Sequence, residues 1–127
     1  PPIPAFHALC EALRELAESG GRRARQARYR ALAERVAAGL AQLGIEPYLE
    51  GDVCSVVLRS YRLPIGMSYD TLHDELKKRG FIIYAGQGGL SRELFRISTL
   101  GEIRDADIER LLRAFAEIVR SERRTST

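Results

Sequence analysis

The apolar residues of this chain keep a helical period at both ends and lose it in the middle, and that change governs what the chain can fold into. Phe6, Leu9, Leu13 and Leu16 recur at i, i+3, i+7 and i+10, which is one face of a helix. Pro4 suits a first turn, and Gly20-Gly21 a stop. A second helix is predicted from Arg22 to Leu43, ending at Gly44, with Tyr29, Leu32, Val36, Leu40 and Leu43 on one stripe. From Asp105 onward, Ile108, Leu111, Leu112, Phe115, Ile118 and Val119 form the cleanest helical stripe of the sequence.

Between these helices the pattern turns to β. Ile45–Glu50 and Val53–Tyr61 are rich in β-branched residues around a Glu50-Gly51-Asp52 turn, which predicts a hairpin. Pro64 and Gly66 make 63–67 a loop. Ser68 is a candidate N-cap for a short helix carrying Leu72 and Leu76, with Lys77, Lys78 and Arg79 in its last turn and Gly80 as its stop. Phe81–Tyr84 reads as a buried strand, 85–90 as a flexible connection, and Leu94–Ser98 as a further strand. The order predicts an α+β fold: a small mixed or antiparallel sheet of about four strands with helices packed on one face. Residues 1–120 are read as the domain and 121–127 as a polar, frayed tail.

Composition narrows the function classes. A chain of 127 residues, 45% hydrophobic and 29% charged, is one domain with a real core. Its apolar runs are about half the roughly 18 residues a membrane helix needs. Two cysteines make neither a disulfide framework nor a four-cysteine zinc site. The net charge of +3 and pI near 9.2 invite a nucleic-acid reading. However, Arg28 and Arg35 fall on one flank of the second helix's stripe and Arg23 and Arg30 on the other, where a phosphate-tracking surface would gather them. No aromatics interleave with them, so no nucleic-acid partner is expected. The 20 basic residues include only two lysines, Lys77 and Lys78, and the chain opens Pro1-Pro2-Ile3-Pro4 without Met. Together these predict a piece of a longer protein.

Few residues carry a chemical signal. Gly86-Gln87-Gly88-Gly89 follows a predicted strand but lacks the Walker and dinucleotide spacings. It is either a tight connection or a close backbone approach to a ligand or partner. In Leu94–Ser98, alternation sends Phe95 and Ile97 to one face and Arg96 to the other. A guanidinium on a rigid strand can grip a planar carboxylate through two parallel hydrogen bonds. An ordinary solvent-facing arginine is the alternative, and the residues leave both open. His7 and His73 stand on separate helices without metal-ligand spacing around either, so no metal site is expected. Cys10, beside the apolar face of the first helix, and Cys54 read as core residues.

Two blocks then resemble a known family. Pro1 to Leu9, Gly20-Gly21 and Arg25 to Tyr29 resemble the start of the C-terminal domain of class V aminotransferases, fold-type I enzymes that use pyridoxal phosphate. The stronger match is Gly80–Leu90, including Tyr84-Ala85-Gly86-Gln87-Gly88, followed by Leu94–Ile103 with its Phe95-Arg96-Ile97 core. Within that family the version is similar to 2-aminoethylphosphonate–pyruvate transaminases.

The resemblance implies that Arg96 holds the acidic end of amino-acid, keto-acid and phosphonate substrates. It also implies that Gly86, Gln87 and Gly88 belong to an active-site loop. The parent would be a cytoplasmic enzyme, a homodimer, converting 2-aminoethylphosphonate and pyruvate into phosphonoacetaldehyde and alanine. The family's Schiff-base lysine, the carboxylate under the pyridine nitrogen and most phosphate ligands lie in a larger upstream domain. The Thr that usually precedes Pro-Pro lies one residue before Pro1. Lys77 and Lys78, solvated neighbours at a helix end, cannot replace that lysine. No catalytic residue is expected within this chain, no bound cofactor, and no catalysis by the chain alone; apolar surface left bare would drive self-association.

An alanine–glyoxylate or serine–pyruvate transaminase domain, and a free-standing interaction domain, are the alternatives. A cysteine desulfurase would need a reactive cysteine on a mobile loop, and neither Cys10 nor Cys54 stands on one.

Overall fold

The computed structural model describes residues 2–125, the side chains of Asp52 and Thr125 excepted. Two long helices lead, α1 (Ile3–Glu18) and α2 (Gly21–Ala41). They are followed by β1 (Leu58–Arg62), α3 (Tyr69–Lys78), β2 (Tyr84–Ala85), β3 (Leu94–Ser98) and α4 (Asp105–Thr125). The sheet is antiparallel with order β1-β3-β2, so the last strand in sequence is the central one. The α+β class predicted from the change of period is the one observed.

Helices and sheet share one core. Leu32, Val36 and Leu40 of α2, Leu72 and Leu76 of α3, and Ile108, Phe115 and Ile118 of α4 are buried against Tyr61, Phe95 and Ile97 of the sheet. The Phe95 ring stacks on Tyr61 and on Phe115, each at 5.6 Å between centroids, within the range where aromatic pairs add to their area burial. α2 and α4 meet closely because Gly39 has no side chain. A Cβ there would lie 2.4 Å from Leu112 Cδ1. Along the same seam Arg35 pairs with Asp105 and Glu109, and Arg28 with Glu102. These pairs are exposed, and such contacts add about 1 kcal/mol or less each.

Several expectations need correction. The hairpin at 45–61 is reduced to a single bridge, Pro47 with Tyr61, flanked by the bonds Tyr48 N–H to Ser60 O and Arg62 N–H to Glu46 O. Residues 51–53 form a 3₁₀ turn, which leaves 58–62 as the only strand there. The named sheet therefore has three strands. The strand expected at 81–84 is Tyr84–Ala85, because Phe81 and Ile83 supply apolar side chains without their backbone pairing. Of the tail predicted at 121–127, residues 121–125 continue α4. Nothing there breaks the helix, and Arg123 and Arg124 suit its C-terminal dipole. The last two residues lie outside the described ones. Cys10 is exposed, not a core residue, and Cys54 is only half-buried.

The exposure of Cys10 belongs to a larger feature. At 100° per residue, Ile3, Phe6, Leu9, Cys10, Leu13 and Ala17 share one side of α1, and His7, Glu11, Arg14, Glu15 and Glu18 the other. The predicted stripe is there, but Ile3, Phe6, Leu9 and Leu13 keep 54–59% of their surface in contact with solvent. α1 meets α2 only at the edge of that stripe, where Ala12, Leu16 and Ser19 line a cleft with Arg25, Arg28 and Tyr29. Among the described residues, no helix is long and apolar enough to cross a membrane.

Candidate functional site

β3 is the strand that every part of the sheet leans on, and Arg96 is at its centre. Cross-strand partners fall on the same face, so Ser60 of β1 and Tyr84 of β2, both in register with Arg96, flank it. Phe95 and Ile97 point the opposite way into the core, 0% and 8% exposed, as the alternation predicts. Arg96 is half-buried, and its Nε–H donates to the Ala85 carbonyl at 2.8 Å.

Comparison with the other arginines shows what is unusual about this one. The half-buried arginines are Arg35, Arg59, Arg79 and Arg96. Arg35 and Arg79 each hold two carboxylates. Arg59 donates its Nε to Ser55 O and lines a cleft shared with Glu34. Among the described residues, no carboxylate pairs with Arg96. By strand alternation its side chain belongs to the face opposite Phe95 and Ile97.

The glycine run continues from β2 and contributes shape. Gly86 N–H donates to Leu94 O at 2.8 Å, extending the β2–β3 ladder by one bond. A Cβ on Gly86 would lie 2.4 Å from Leu90 O, so the backbone of 88–92 folds directly against it as a 3₁₀ turn. This segment, expected to be a flexible connection, is a hydrogen-bonded turn. Leu90 N–H reaches Gln87 O, and Glu93 N–H reaches Leu90 O. What Gly86 accommodates is therefore a carbonyl of its own chain. Gln87 and Gly88 are exposed on the rim next to Ala85.

Sequence reasoning missed Tyr69. It is the first residue of α3, placed by Ser68, whose Oγ accepts from Thr71 N–H at 3.1 Å. Its hydroxyl donates to Ile83 O at 2.9 Å, two residues before the carbonyl that holds Arg96. Burial pushes the phenol pKa up, and a hydrogen bond from the Ala85 backbone and the nearby Arg96 charge partly offset this. No local pattern announces such a contact, because it joins a helix start to the residue just before β2, fourteen positions later.

Other chemistry is sparse. His7 is exposed on α1, and His73 lies beside Asp74 at 3.0 Å. No group of three or more metal-ligating side chains gathers among the described residues. Lys77 and Lys78 are exposed at the end of α3, with Lys78 paired to Glu75.

The fold and the sequence as a whole can be compared with known proteins. Of solved structures, an alanine–glyoxylate aminotransferase from Nostoc sp. superposes with a TM-score of 0.83 over 93% of this chain, at 22% identity, covering 32% of that protein. A ureidoglycine–glyoxylate aminotransferase from Bacillus subtilis gives 0.78 over 88% of this chain, at 24% identity and 29% of its own length. The chain shares the fold of these aminotransferase domains. In sequence the chain is similar to 2-aminoethylphosphonate–pyruvate transaminases. The protein of that name from Klebsiella pneumoniae is 40% identical over 115 residues, 89% of this chain, and that from Bacillus cytotoxicus 34% identical over 118, 91% of this chain. No family model matches. The chain spans about a third of the length of these relatives.

Proposed function

We propose that this chain is the C-terminal small domain of a pyridoxal-phosphate aminotransferase that converts 2-aminoethylphosphonate and pyruvate into phosphonoacetaldehyde and alanine. In this reading Arg96 grips the acidic end of each substrate. The observation that carries it is the half-buried guanidinium on the central strand, anchored at Nε, with no carboxylate of the described chain to neutralise it. The two half-reactions bring a carboxylate and a phosphonate to one place in turn. A fixed planar cation can orient both, since each offers a pair of oxygens to the fork.

Neither lysine of this chain is set to carry the cofactor, since both are exposed at a helix end and Lys78 pairs with Glu75. When bound, pyridoxal phosphate supplies carbanion stabilisation, and the groups that hold it would come from outside this chain. What this chain's residues contribute is substrate orientation. Arg96 presents the fork, Tyr84 and Ser60 flank it, and the 86–92 turn forms its rim. The bare apolar side of α1 is then the surface that the remainder of the protein covers. The 127-residue chain by itself is expected to show no transamination when given pyridoxal phosphate and both substrates.

The substrate assignment is tested by amino-donor and acceptor screening of the full-length protein. Turnover of 2-aminoethylphosphonate with pyruvate well above alanine with glyoxylate or serine with pyruvate is the expected result. The reverse order would assign the chain to an alanine–glyoxylate or serine–pyruvate type instead. A full-length protein with no transaminase activity on any of these pairs would leave the interaction-domain alternative standing.

A further inference from the structure

Arg96 is oriented by a strand that is itself barely held. β2 has two residues and lies at the edge of the sheet. In an antiparallel pair, alternate residues direct their N–H and C=O groups at the partner strand. Gly86 N–H bonds to Leu94 O, and Tyr84 is in register with Arg96, so Tyr84 and Gly86 are the inward-bonding residues. The carbonyls of Ile83 and Ala85 therefore point away from β3, along the free edge. Both are occupied by side chains. The Tyr69 hydroxyl donates to Ile83 O at 2.9 Å, and Arg96 Nε donates to Ala85 O at 2.8 Å.

We infer that Tyr69 is a positioning residue for Arg96. By pinning the outer edge of β2, it sets the carbonyl that orients the guanidinium. With Nε committed to Ala85, the acid must be taken end-on by the two Nη groups, not side-on through Nε and one Nη. The ligand class that fits is a planar carboxylate, or a phosphonate offering two of its oxygens, approaching along the axis of the side chain. The inference rests on the substrate-gripping role proposed for Arg96.

The geometry supports it from both sides. Tyr69 cannot drift, because it is the first residue of a helix whose start is capped by Ser68 and whose Leu72 and Leu76 are 0% exposed in the core. Its ring also lies 5.5 Å from that of His73, one turn further on. β2, by contrast, has little ladder to fix it beyond its two residues and the Gly86–Leu94 bond. Removing the phenol hydroxyl leaves the Ile83 carbonyl without its donor and lets the edge move. Arg96 stays in place, but its fork swings.

The test uses the full-length protein as Y69F, R96A and the double variant, with kcat and KM measured separately for the amino donor and for pyruvate, and thermal unfolding followed alongside. For Y69F we expect KM to rise roughly threefold to tenfold for both acids, the size of one hydrogen bond's net effect, with a smaller change in kcat. In the R96A background, Y69F should add nothing further. An unchanged KM in Y69F beside an impaired R96A overturns the role of Tyr69 and leaves that of Arg96 standing. The same Y69F effect with and without Arg96 also overturns it, since that is what general support of the fold would give. Wild-type kinetics in R96A would remove the substrate-gripping reading itself.

A second measurement covers the case of an unstable Y69F enzyme. In the 127-residue chain, the Arg96 Nε–H, assigned by its loss in R96K, should exchange slowly with solvent. Exchange should be at least several-fold faster in Y69M, chosen for its unbranched side chain, and equal rates would overturn the inference.

Discussion

Replacing Gly86 by alanine adds one methyl group, and the fold leaves no room for it. The new Cβ would stand 2.4 Å from Leu90 O, 2.8 Å from Leu90 C and 3.2 Å from Leu94 Cβ. The first two are backbone atoms of a hydrogen-bonded 3₁₀ turn, so no rotamer change relieves the contact. Either the 88–92 turn must lift or β2 must pull away from β3, breaking the Gly86–Leu94 bond. Overpacking of this kind costs about 1–3 kcal/mol. For a chain of this size that is a Tm lower by about 3–18 °C. Gly89 supplies the control: a Cβ there meets nothing within 4 Å and its φ lies outside the left-handed region. G89A should stay within about 0.5 kcal/mol of the parent. Thermal and urea unfolding of the 127-residue chain, followed by circular dichroism, compares the two directly. The clash also displaces Ala85, so G86A should further weaken the anchoring of Arg96. If G86A unfolds with the same midpoint as G89A, the close packing of the turn on the strand is wrong, and with it the idea that this loop is a built rim.

The remaining predictions concern the exposed helix and alkaline stability. Because Phe6, Leu9 and Leu13 keep more than half their surface bare, the 127-residue chain should self-associate in sedimentation at tens of micromolar, and L9E/L13E should sediment as a monomer; a monomeric parent chain would refute this. Burial pushes the Tyr61 phenol up to about 12, above the roughly 10 of an unfolded tyrosine. The neutral form is thus favoured by folding, so this contribution is complete below pH 10 and is lost as pH rises from about 10 to 12, amounting to about 3 kcal/mol. Urea unfolding across that window should show a steeper fall for the parent chain than for Y61F, and equal slopes would contradict the burial argument.

How much of this was legible in the sequence depends on whether a feature is local. The α2 and α4 stripes were readable because 3.6-residue spacing is an intrinsic pattern, and the buried members Leu32, Val36, Leu40, Ile108 and Phe115 are those the spacing picks out. Alternation likewise placed Phe95 and Arg96 on opposite faces. What failed was tertiary. The same periodicity describes α1, yet nothing in it says that, among the described residues, Phe6 and Leu9 stay more than half exposed. Ile45–Glu50 has strand-forming residues, but only Pro47 finds a bridge partner, since the chain leaves the sheet at the 51–53 turn. Phe81–Ile83 reads as a strand from side chains alone, while the backbone pairing begins at Tyr84. For the candidate site, alternation put Arg96 on the outer face but left an ordinary solvent-facing arginine open, and only the family resemblance singled it out. The bond from its Nε to Ala85 exists because β2 pairs with β3, and the bond from Tyr69 to Ile83 because the start of α3 meets the segment just before β2.

The central claim is that Arg96 grips the acidic end of both substrates. Steady-state kinetics of R96A and R96K in the full-length protein test it most directly. Truncating the charged partner of a buried acid costs about 2–5 kcal/mol, so R96A should lose between about thirtyfold and several thousandfold in kcat/KM for both the amino donor and pyruvate. R96K should recover only part of this, because an ammonium is a point charge without the planar fork. Wild-type kcat/KM in R96A for both acidic substrates would contradict the account.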